Sequence, residues 1–181
     1  MAGNKKPSEF KGITMDNYCQ YISHITPDYL EEVHATRPSD KFTSTFYVCC
    51  GPNRPNTFTD SPLPESAWIG LYAAAAKIDG LLRWAYVNWP LDPVVDSSFG
   101  HWRAGDTYLV YPNCRASSRW EMLRDGIEEC EKIRILRVEG KAAKIEEALK
   151  EINFPKGDKA SDETIAADVA NVLKAVSEAS K

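Results

Sequence analysis

The chain has 181 residues, of which 43% are hydrophobic and 27% are charged, so disorder throughout is excluded and one domain with a sizeable core is expected. Its formal net charge of −4 argues against a nucleic-acid partner, because such binding needs clustered Lys and Arg side chains. The most apolar window, WIGLYAAAA, is half as long as the ~18 residues of a membrane span, and the N-terminus has no signal-peptide pattern. We therefore expect no membrane partner. As written, the chain should stay in the compartment where it is made, and the sequence does not identify that compartment.

The first half of the chain alternates between strand and helix patterns. ITMDNYCQYI at 13–22 favours a strand, and PDYLEEVHAT at 27–36 predicts a helix with proline in its first turn and acids at the positive end of its dipole. KFTSTFYVCC at 41–50 is rich in strand-forming residues, and the Gly-, Pro- and Asn-rich stretch at 51–64 is typical of a loop that carries a site. A second helix is predicted at 64–80, ended by an Asp-Gly pair.

The second half begins with two further strand patterns and continues as helices. LLRWAYVNW at 81–89 and DTYLVYP at 106–112 predict strands, separated by a long loop. Ser118 and Glu121 have the spacing of a capping box, in which the hydroxyl and the carboxylate each satisfy a backbone N–H at a helix start. The helix begun there runs to residue 137, and a charged helix is predicted at 139–152. After a breaker at 154–161, a last helix is predicted over apolar positions at 3.6-residue spacing: Ile165, Val169, Val172, Leu173 and Val176.

The alternation of strands and helices predicts the fold class. Strands joined by helices pair in parallel through right-handed crossovers, so we expect an α/β fold with about three or four parallel strands. This number is too small to close a barrel, which needs eight strands. The chain is therefore either a small open α/β sheet or the later half of a larger fold.

The cysteines and histidines show no metal or disulfide pattern. The five cysteines lack a C-x-x-C pair, and most are expected to be small buried hydrophobic residues: Cys19, Cys49, Cys50, Cys114 and Cys130. Neighbouring Cys49 and Cys50 would point to opposite faces of a strand. The three histidines share no metal-ligand spacing. We therefore expect no metal and no cofactor.

Two predicted strands end in polar and aromatic residues followed by irregular loops. One ends after Tyr47 and the other in YVNW at 86–89, and ligands bind at the carboxyl ends of parallel strands. Alternation places Trp84 and Asn88 on one face, which offers flat apolar surface with a polar group at its end. Such a surface suits a pyranose, which has an apolar C–H face and a hydroxyl rim. The alternatives are that Trp84 belongs to the core and that Arg83 pairs with a carboxylate of a packed helix.

Three segments are more specific than these patterns: PNTF at 55–58, GLLRWAYVNWPLDP at 80–93 and WRAGDTYLVYPNCRASSRWEMLRDGIEECEKIRIL at 102–136. They combine an aromatic strand that closes in Asn-x-Trp and Asp-Pro, a Trp-x-x-Gly-Asp-Thr-Tyr strand, and a helix start with two arginines. In these segments the chain resembles the C-terminal part of the catalytic region of glycoside hydrolase family 123, also catalogued as a domain of unknown function. The resemblance covers residues 41–137.

The resemblance implies a fold and a reaction. The fold would be the C-terminal half of a (β/α)8 barrel, with a partial barrel at 1–137 and a C-terminal helical extension at 138–181. The reaction would be that of an exo-acting, retaining β-N-acetylgalactosaminidase, in which the 2-acetamido oxygen of the sugar attacks the anomeric carbon. This mechanism needs an Asp-Glu pair at the end of an earlier strand. The Asp-Glu pair of this chain, Asp162-Glu163, opens a predicted helix, so no residue is assigned a catalytic role.

What the resemblance carries over is a set of sugar-binding positions at the mouth of the sheet. The residues expected to contact an amino-sugar-containing glycan are Tyr47, Asn56, Trp84, Asn88 and Trp89. Three acids lie near the same edge: Asp92, Asp96 and Asp106. Asp106 is expected to organise its turn, and the other two either hold the loop or contact the sugar.

Three functions remain open. The first is the C-terminal segment of such a glycosidase, which predicts no hydrolysis by this chain alone. In that case the open strand edge of the chain should be covered by a missing N-terminal half-barrel, or the chain should self-associate. The second is a non-catalytic carbohydrate-binding module that keeps the aromatic surface without the acids. The third is a small α/β enzyme that uses Ser117 or Cys49 beside His101, for which the sequence shows no nucleophile elbow or oxyanion motif.

Overall fold

The computed structural model describes residues 2–3, 5–10, 15–36 and 42–181, which form a mixed α/β fold. Within these residues, four strands pair in parallel in the order β1-β2-β3-β4: Ala2–Gly3, Asn17–Tyr21, Thr43–Val48 and Gly80–Arg83. The described α-helices, α1 to α6, are Pro27–Thr36, Leu63–Ala75, Ser118–Val138, Ala143–Leu149, Phe154–Gly157 and Asp162–Ala179. Short 3₁₀ helices lie at Pro7–Glu9, Ile22–His24 and Pro112–Cys114. The parallel α/β fold class predicted from the sequence is confirmed.

The sheet is covered by helices on one face. The strand order follows the chain order, and right-handed crossovers then place α1 and α2 on the same side of the sheet. Phe46 of β3 points to that side, is fully buried, and meets Tyr72 of α2 edge-on at 4.9 Å between ring centroids. On the opposite side Tyr47, which pairs in register with Tyr21 and Leu82, is only half-buried. We call this opposite side the open face.

Helix α2 lies in the middle of the helical layers and is buried on nearly all sides. Ten of its thirteen residues are buried, because the sheet covers one side and α3 and α6 cover others. Helix α3 crosses α2 with almost no space between the backbones. A Cβ atom on Gly70 would lie 2.5 Å from the carbonyl carbon of Gly126. Glycine at both positions therefore permits this close helix contact.

The C-terminal helices belong to the same hydrophobic core as the sheet. Ile145 of α4 and Val172 of α6 are fully buried in the cluster that also contains Trp68 of α2. The short helix α5 packs against the same tryptophan, since a Cβ on Gly157 would lie 2.9 Å from its ring. The domain boundary predicted after residue 137 stays a prediction. Among the described helices, none combines the length and apolar character that a membrane crossing requires.

The strands predicted at 81–89 and 106–112 are the main error of the sequence analysis. β4 ends at Arg83, where its partner β3 turns away after Val48, and the predicted 106–112 strand joins no parallel sheet. Instead the two segments meet each other in a short antiparallel contact. The N–H of Leu109 donates to Tyr86 O at 2.9 Å, and that of Asn88 donates to Thr107 O at 3.0 Å. The stretch 84–111 is therefore a folded-back loop.

Smaller differences concern helix ends and caps. The cap of α3 is Ser117, whose hydroxyl oxygen accepts from the N–H of Trp120 at 3.1 Å, so the capping box predicted from Ser118 is wrong. The charged helix predicted at 139–152 is shorter, and the predicted breaker contains α5. Helix α1 has the predicted bounds. Residues 13–14 and 41 of the predicted strands lie outside the described residues.

Candidate functional site

The candidate site lies at the carboxyl ends of the strands. β2, β3 and β4 end at Tyr21, Val48 and Arg83, which places the two loops that follow β3 and β4 at one edge of the sheet. We call these strand ends, with the loops at 49–62 and 84–111, the carboxyl rim. Ligands of parallel α/β folds bind at this edge, because the loops there converge while the sheet holds them.

A buried ion pair anchors the rim at the end of β4. Arg83 Nη2 lies 3.1 Å from Asp106 Oδ1, and Asp106 is fully buried. The same guanidinium donates to Val48 O at 3.2 Å and to the backbone carbonyl of Asp106. The indole N–H of Trp84 donates to Asp106 Oδ1 at 3.0 Å. One carboxylate therefore fixes the end of the strand, the orientation of Trp84 and the returning loop.

Electrostatics make this anchor sensitive to the loss of either partner. Burial lowers the pKa of the Arg83 guanidinium, and the negative charge of Asp106 opposes that shift. Because arginine keeps its charge in proteins, removing the carboxylate leaves an unpaired buried cation. The sequence alternative that Arg83 pairs with a carboxylate of a packed helix is correct about the ion pair and wrong about the helix, because Asp106 lies in the loop at 84–111.

Two tryptophans present partly exposed ring faces at the rim. Trp84 is 36% exposed and packs against Trp102 at 5.0 Å between ring centroids, and Trp89 is 37% exposed. The Trp89 indole N–H donates to Val110 O at 2.7 Å. Both indole N–H groups are thus used within the protein, while both side chains keep part of their surface exposed. These residues can offer apolar surface to a ligand but not their usual hydrogen-bond donors.

Two other predicted sugar-binding residues sit at the same edge. Asn88 is exposed, and its backbone N–H holds it to Thr107 in the antiparallel contact. Tyr47 is half-buried on the open face, where its ring lies 5.3 Å from that of Tyr21. Burial raises the pKa of the Tyr47 hydroxyl, so this group is a neutral donor and acceptor near neutral pH.

Asn56 does not face a ligand, and its assignment as a sugar contact needs correction. It is fully buried, and its side-chain amide donates to Cys49 O at 3.0 Å and to Pro52 O at 2.7 Å. Its carbonyl oxygen accepts from the N–H of Thr57, and its own N–H donates to Glu65 Oε2 at 2.8 Å. All polar atoms of the side chain are used inside the loop. The structure makes Asn56 a positioning residue for the loop after β3.

The acids near the rim are held by local turns or ion pairs. Asp92 accepts from the N–H of Val94 at 3.1 Å, and Asp96 accepts from the N–H of Ser98 at 2.9 Å. Hydrogen bonds from Ser98 lower the pKa of Asp96. Asp162, of the Asp-Glu pair, lies 2.6 Å from Arg54 in the first turn of α6. These contacts give each of these acids a structural role.

The third sequence hypothesis, a nucleophile beside His101, finds no support in the geometry. The Ser117 hydroxyl donates to Leu109 O at 2.6 Å and accepts from the N–H of Trp120 at 3.1 Å, so its proton binds the rim loop and its lone pair caps α3. His101 is exposed, and its ring lies tilted against that of Trp102 at 4.2 Å between ring centroids. In the described part of the chain, His, Cys, Asp and Glu side chains form no group that could hold a metal ion.

Sequence reasoning missed the residues that tie the two rim loops together. Arg119 is buried at the start of α3, donates to the carbonyl of Thr57 and to Gly105 O at 3.0 Å, and lies over the Tyr108 ring at 5.5 Å. A usable signal existed only at Arg83, which is the sole charged residue in the apolar and aromatic stretch 80–89, whereas Asp106 and Arg119 have charged neighbours. Charges in such stretches are expected to be paired.

The family comparison agrees with this geometry. The model named "Glycoside hydrolase 123, catalytic domain" matches residues 3–136, a region that contains every residue of the carboxyl rim. The chain belongs to glycoside hydrolase family 123. The resemblance inferred from the three sequence segments is therefore confirmed, and a glycoside hydrolase-like role follows from family membership.

A solved structure shows a related fold. The chain is similar to a family 123 glycoside hydrolase from Clostridium perfringens that was analysed for glycolipid glycan hydrolysis, with a TM-score of 0.80 and 22% sequence identity. The match covers 91% of this chain but only 32% of the Clostridium perfringens chain. This chain therefore spans about a third of the length of that structural relative. A search of curated proteins found no match.

Proposed function

We propose that this chain supplies the sugar-binding wall of a family 123 glycoside hydrolase that acts on N-acetylgalactosamine-containing glycans. The observation that carries the proposal is the Trp84 side chain, held by the buried Arg83–Asp106 pair and 36% exposed at the carboxyl ends of the strands. An aromatic face covers the apolar side of a pyranose, and anchoring of the ring before binding reduces the entropy lost on binding.

We assign different roles to the rim residues in this wall. Trp84 and Trp89 provide apolar faces, because their N–H groups are already bonded to the protein. Asn88 and the Tyr47 hydroxyl provide polar contacts for the sugar hydroxyls or the 2-acetamido group. Asn56 acts indirectly by holding the loop after β3.

The proposal places the acids of a substrate-assisted mechanism on further strands of a (β/α)8 barrel. The open face supports this arrangement. The described strand residues directed to it from β2, β3 and β4 carry no charged side chain, and Leu82 is 45% exposed there. Apolar and hydroxyl side chains on one face of a parallel sheet suit a barrel interior. We expect such a face to be covered by a missing half-barrel or, failing that, by a second copy of this chain.

A chimera tests the wall assignment. The matched third of the Clostridium perfringens enzyme would be replaced by this chain, and hydrolysis of p-nitrophenyl N-acetyl-β-D-galactosaminide would be measured. We expect activity in the chimera and a decrease of at least about 10-fold in its Trp84→Ala variant, because the lost ring contact contributes about 1.4 kcal/mol or more. Leu91→Ala, a change at a fully exposed position of the same loop, is the matched control and should leave the rate unchanged.

The outcome depends on whether the chimera folds, which circular dichroism and thermal unfolding report. A folded chimera that hydrolyses the substrate equally well with and without Trp84 would overturn the wall assignment. Calorimetry of this chain alone with N-acetylgalactosamine then separates two forms of the function. If no heat of binding is detected, the result favours a wall that needs the rest of the barrel. Saturable binding that Trp84→Ala abolishes favours the non-catalytic carbohydrate-binding module.

A further inference from the structure

The adjacent thiols of Cys49 and Cys50 form a pair at the rim that the sugar-binding function does not use. Of the other cysteines, Cys19 and Cys130 are buried in the core, whereas Cys114 is exposed in a separate 3₁₀ helix. Cys50 is exposed and Cys49 is half-buried. Their sulfur atoms lie 3.8 Å apart in an S–H···S contact.

The backbone brings these two sulfurs together. Strand alternation would send them to opposite faces, but β3 ends at Val48, one residue before the pair. The N–H of Cys49 then donates to Gly51 O at 2.9 Å, which turns the chain immediately after the strand. The prediction that the two side chains diverge is therefore wrong, because both lie in a turn.

We propose that Cys49 and Cys50 are a vicinal dithiol site that captures one trivalent arsenical, or a comparably soft electrophile that binds two sulfurs. The chemistry needs no oxidant. An organic arsenic oxide, R–As=O, reacts with two thiols, both As–S bonds form, and the oxo oxygen leaves as water with the two thiol protons. Arsenic stays trivalent and the sulfurs stay at the thiol oxidation level.

Two features favour capture by both sulfurs over reaction of one. The short distance between the sulfurs means that, after the first As–S bond forms, the second thiol is already beside the arsenic, at an effective concentration far above that of any free thiol. Partial desolvation, together with the neighbouring Cys49 thiol, raises the pKa of the exposed Cys50 thiol, so single-site alkylation, which needs the thiolate, is slow near neutral pH.

The surroundings place the captured group beside the open face. A Cβ on Gly51 would lie 2.6 Å from the Tyr21 hydroxyl, so the turn that carries the thiols rests directly on that tyrosine. Tyr47 lies two residues before Cys49 and packs against the same ring. An arsenical held by the pair is therefore expected to change the emission of these tyrosines.

The test titrates the folded chain with phenylarsine oxide under reducing conditions with one monothiol as competitor. Intact-protein mass spectrometry should show one adduct per chain, and a thiol assay made after the added thiol is removed should show that two thiols of the chain are consumed. Cys50→Ser and Cys49→Ser should each weaken capture by about 100-fold, because only one As–S bond can form. Cys114→Ser, which removes the other exposed thiol, is the matched control and should bind as the wild type does.

A dithiol competitor should release the arsenical, whereas the monothiol at equal thiol concentration should not. Equal capture by the Cys50→Ser variant, or an adduct lost in Cys114→Ser, would overturn the proposal. Cys50 is exposed, so its serine variant should fold, and circular dichroism of each variant checks this point.

Discussion

The two faces of the parallel sheet differ in what covers them. On the helix-covered face, Ser44, Phe46 and Val48 of β3 are almost completely buried beneath the helical layers. On the open face, the alternate residue Tyr47 is half-buried and Leu82 of the next strand is 45% exposed. Parallel sheets usually bury both faces, so the exposure of the open face departs from the usual pattern. The contribution of each face to the free energy of unfolding can be measured by substitution.

The largest expected effect comes from cutting a side chain on the helix-covered face. Phe46→Ala should lower the free energy of unfolding by about 4 kcal/mol, because the ring is fully buried against α2. Leu82→Ala, its counterpart on the open face, should lower it by less than about 1 kcal/mol. Urea denaturation measures both. A cost for Leu82→Ala as large as that for Phe46→Ala would mean that something covers the open face in solution.

The next effect concerns the rim, where the two faces end. Asp106→Asn keeps the size of the side chain but leaves Arg83 as an unpaired buried cation, so it should cost about 3 kcal/mol in unfolding free energy. Asp92→Asn is the matched control. It changes an exposed turn residue whose acceptor oxygen is kept, and it should shift stability by less than about 0.5 kcal/mol. Equal effects of the two changes would contradict the anchoring role of Asp106.

A third substitution tests the close contact between helices α2 and α3. Gly126→Ala should cost about 2 kcal/mol, because the new methyl group meets the backbone of Ala67 in α2 and the helices have to move apart. Gly80→Ala adds the same methyl group at the start of β4, where no atom lies within 4 Å, and should change stability by about 0.5 kcal/mol or less. Thermal unfolding of the two variants provides the comparison.

The smallest effects are expected from two carboxylates with opposite pKa shifts. Burial raises the pKa of Glu65 at the start of α2, so the stability that it contributes is present below its usual pKa and is lost as pH rises through the raised value. The Ser98 hydrogen bonds lower the pKa of Asp96 in the rim loop, so its contribution is present above the usual pKa and is lost as pH falls through the lowered value.

Two substitutions test these signs by denaturation between about pH 3 and about pH 7. The wild type should lose stability relative to Glu65→Gln as pH rises through that range. Relative to Asp96→Asn, it should gain stability over the lower part of the range. If both differences have the same sign, the burial of Glu65 does not determine its titration.

Much of the helical part of the fold could be predicted from local patterns. α1 was predicted at its observed bounds because proline, acids and apolar spacing all act within ten residues. The strand predicted at 81–89 was too long for the opposite reason. Trp84, Tyr86 and Asn88 have strand-like alternation, but β3 provides no edge for them beyond Val48. Strand pairing depends on a partner distant in sequence, which local alternation does not reveal.

The candidate site was predicted in the same uneven way. Trp84, Asn88 and Trp89 were predicted at the rim and lie there with exposed surface, since aromatic residues before a proline-rich loop are a local signal. Asn56 has the same polarity as Asn88 and yet is fully buried, because its amide finds acceptors at Cys49 and Pro52 within its own loop. Residue type alone does not distinguish a polar group that binds a ligand from one that binds its own backbone.

By itself, the sequence determined the parallel α/β class, most of the helix positions and membership of family 123, because composition, periodicity and conspicuous short segments are properties of neighbouring residues. Only the tertiary structure decided that Asp106 neutralises Arg83, that Cys49 and Cys50 turn toward each other, and that one face of the sheet stays open. Each of these depends on where the chain turns and on which distant group meets it there, and the free energy of such contacts is defined only once the chain has folded.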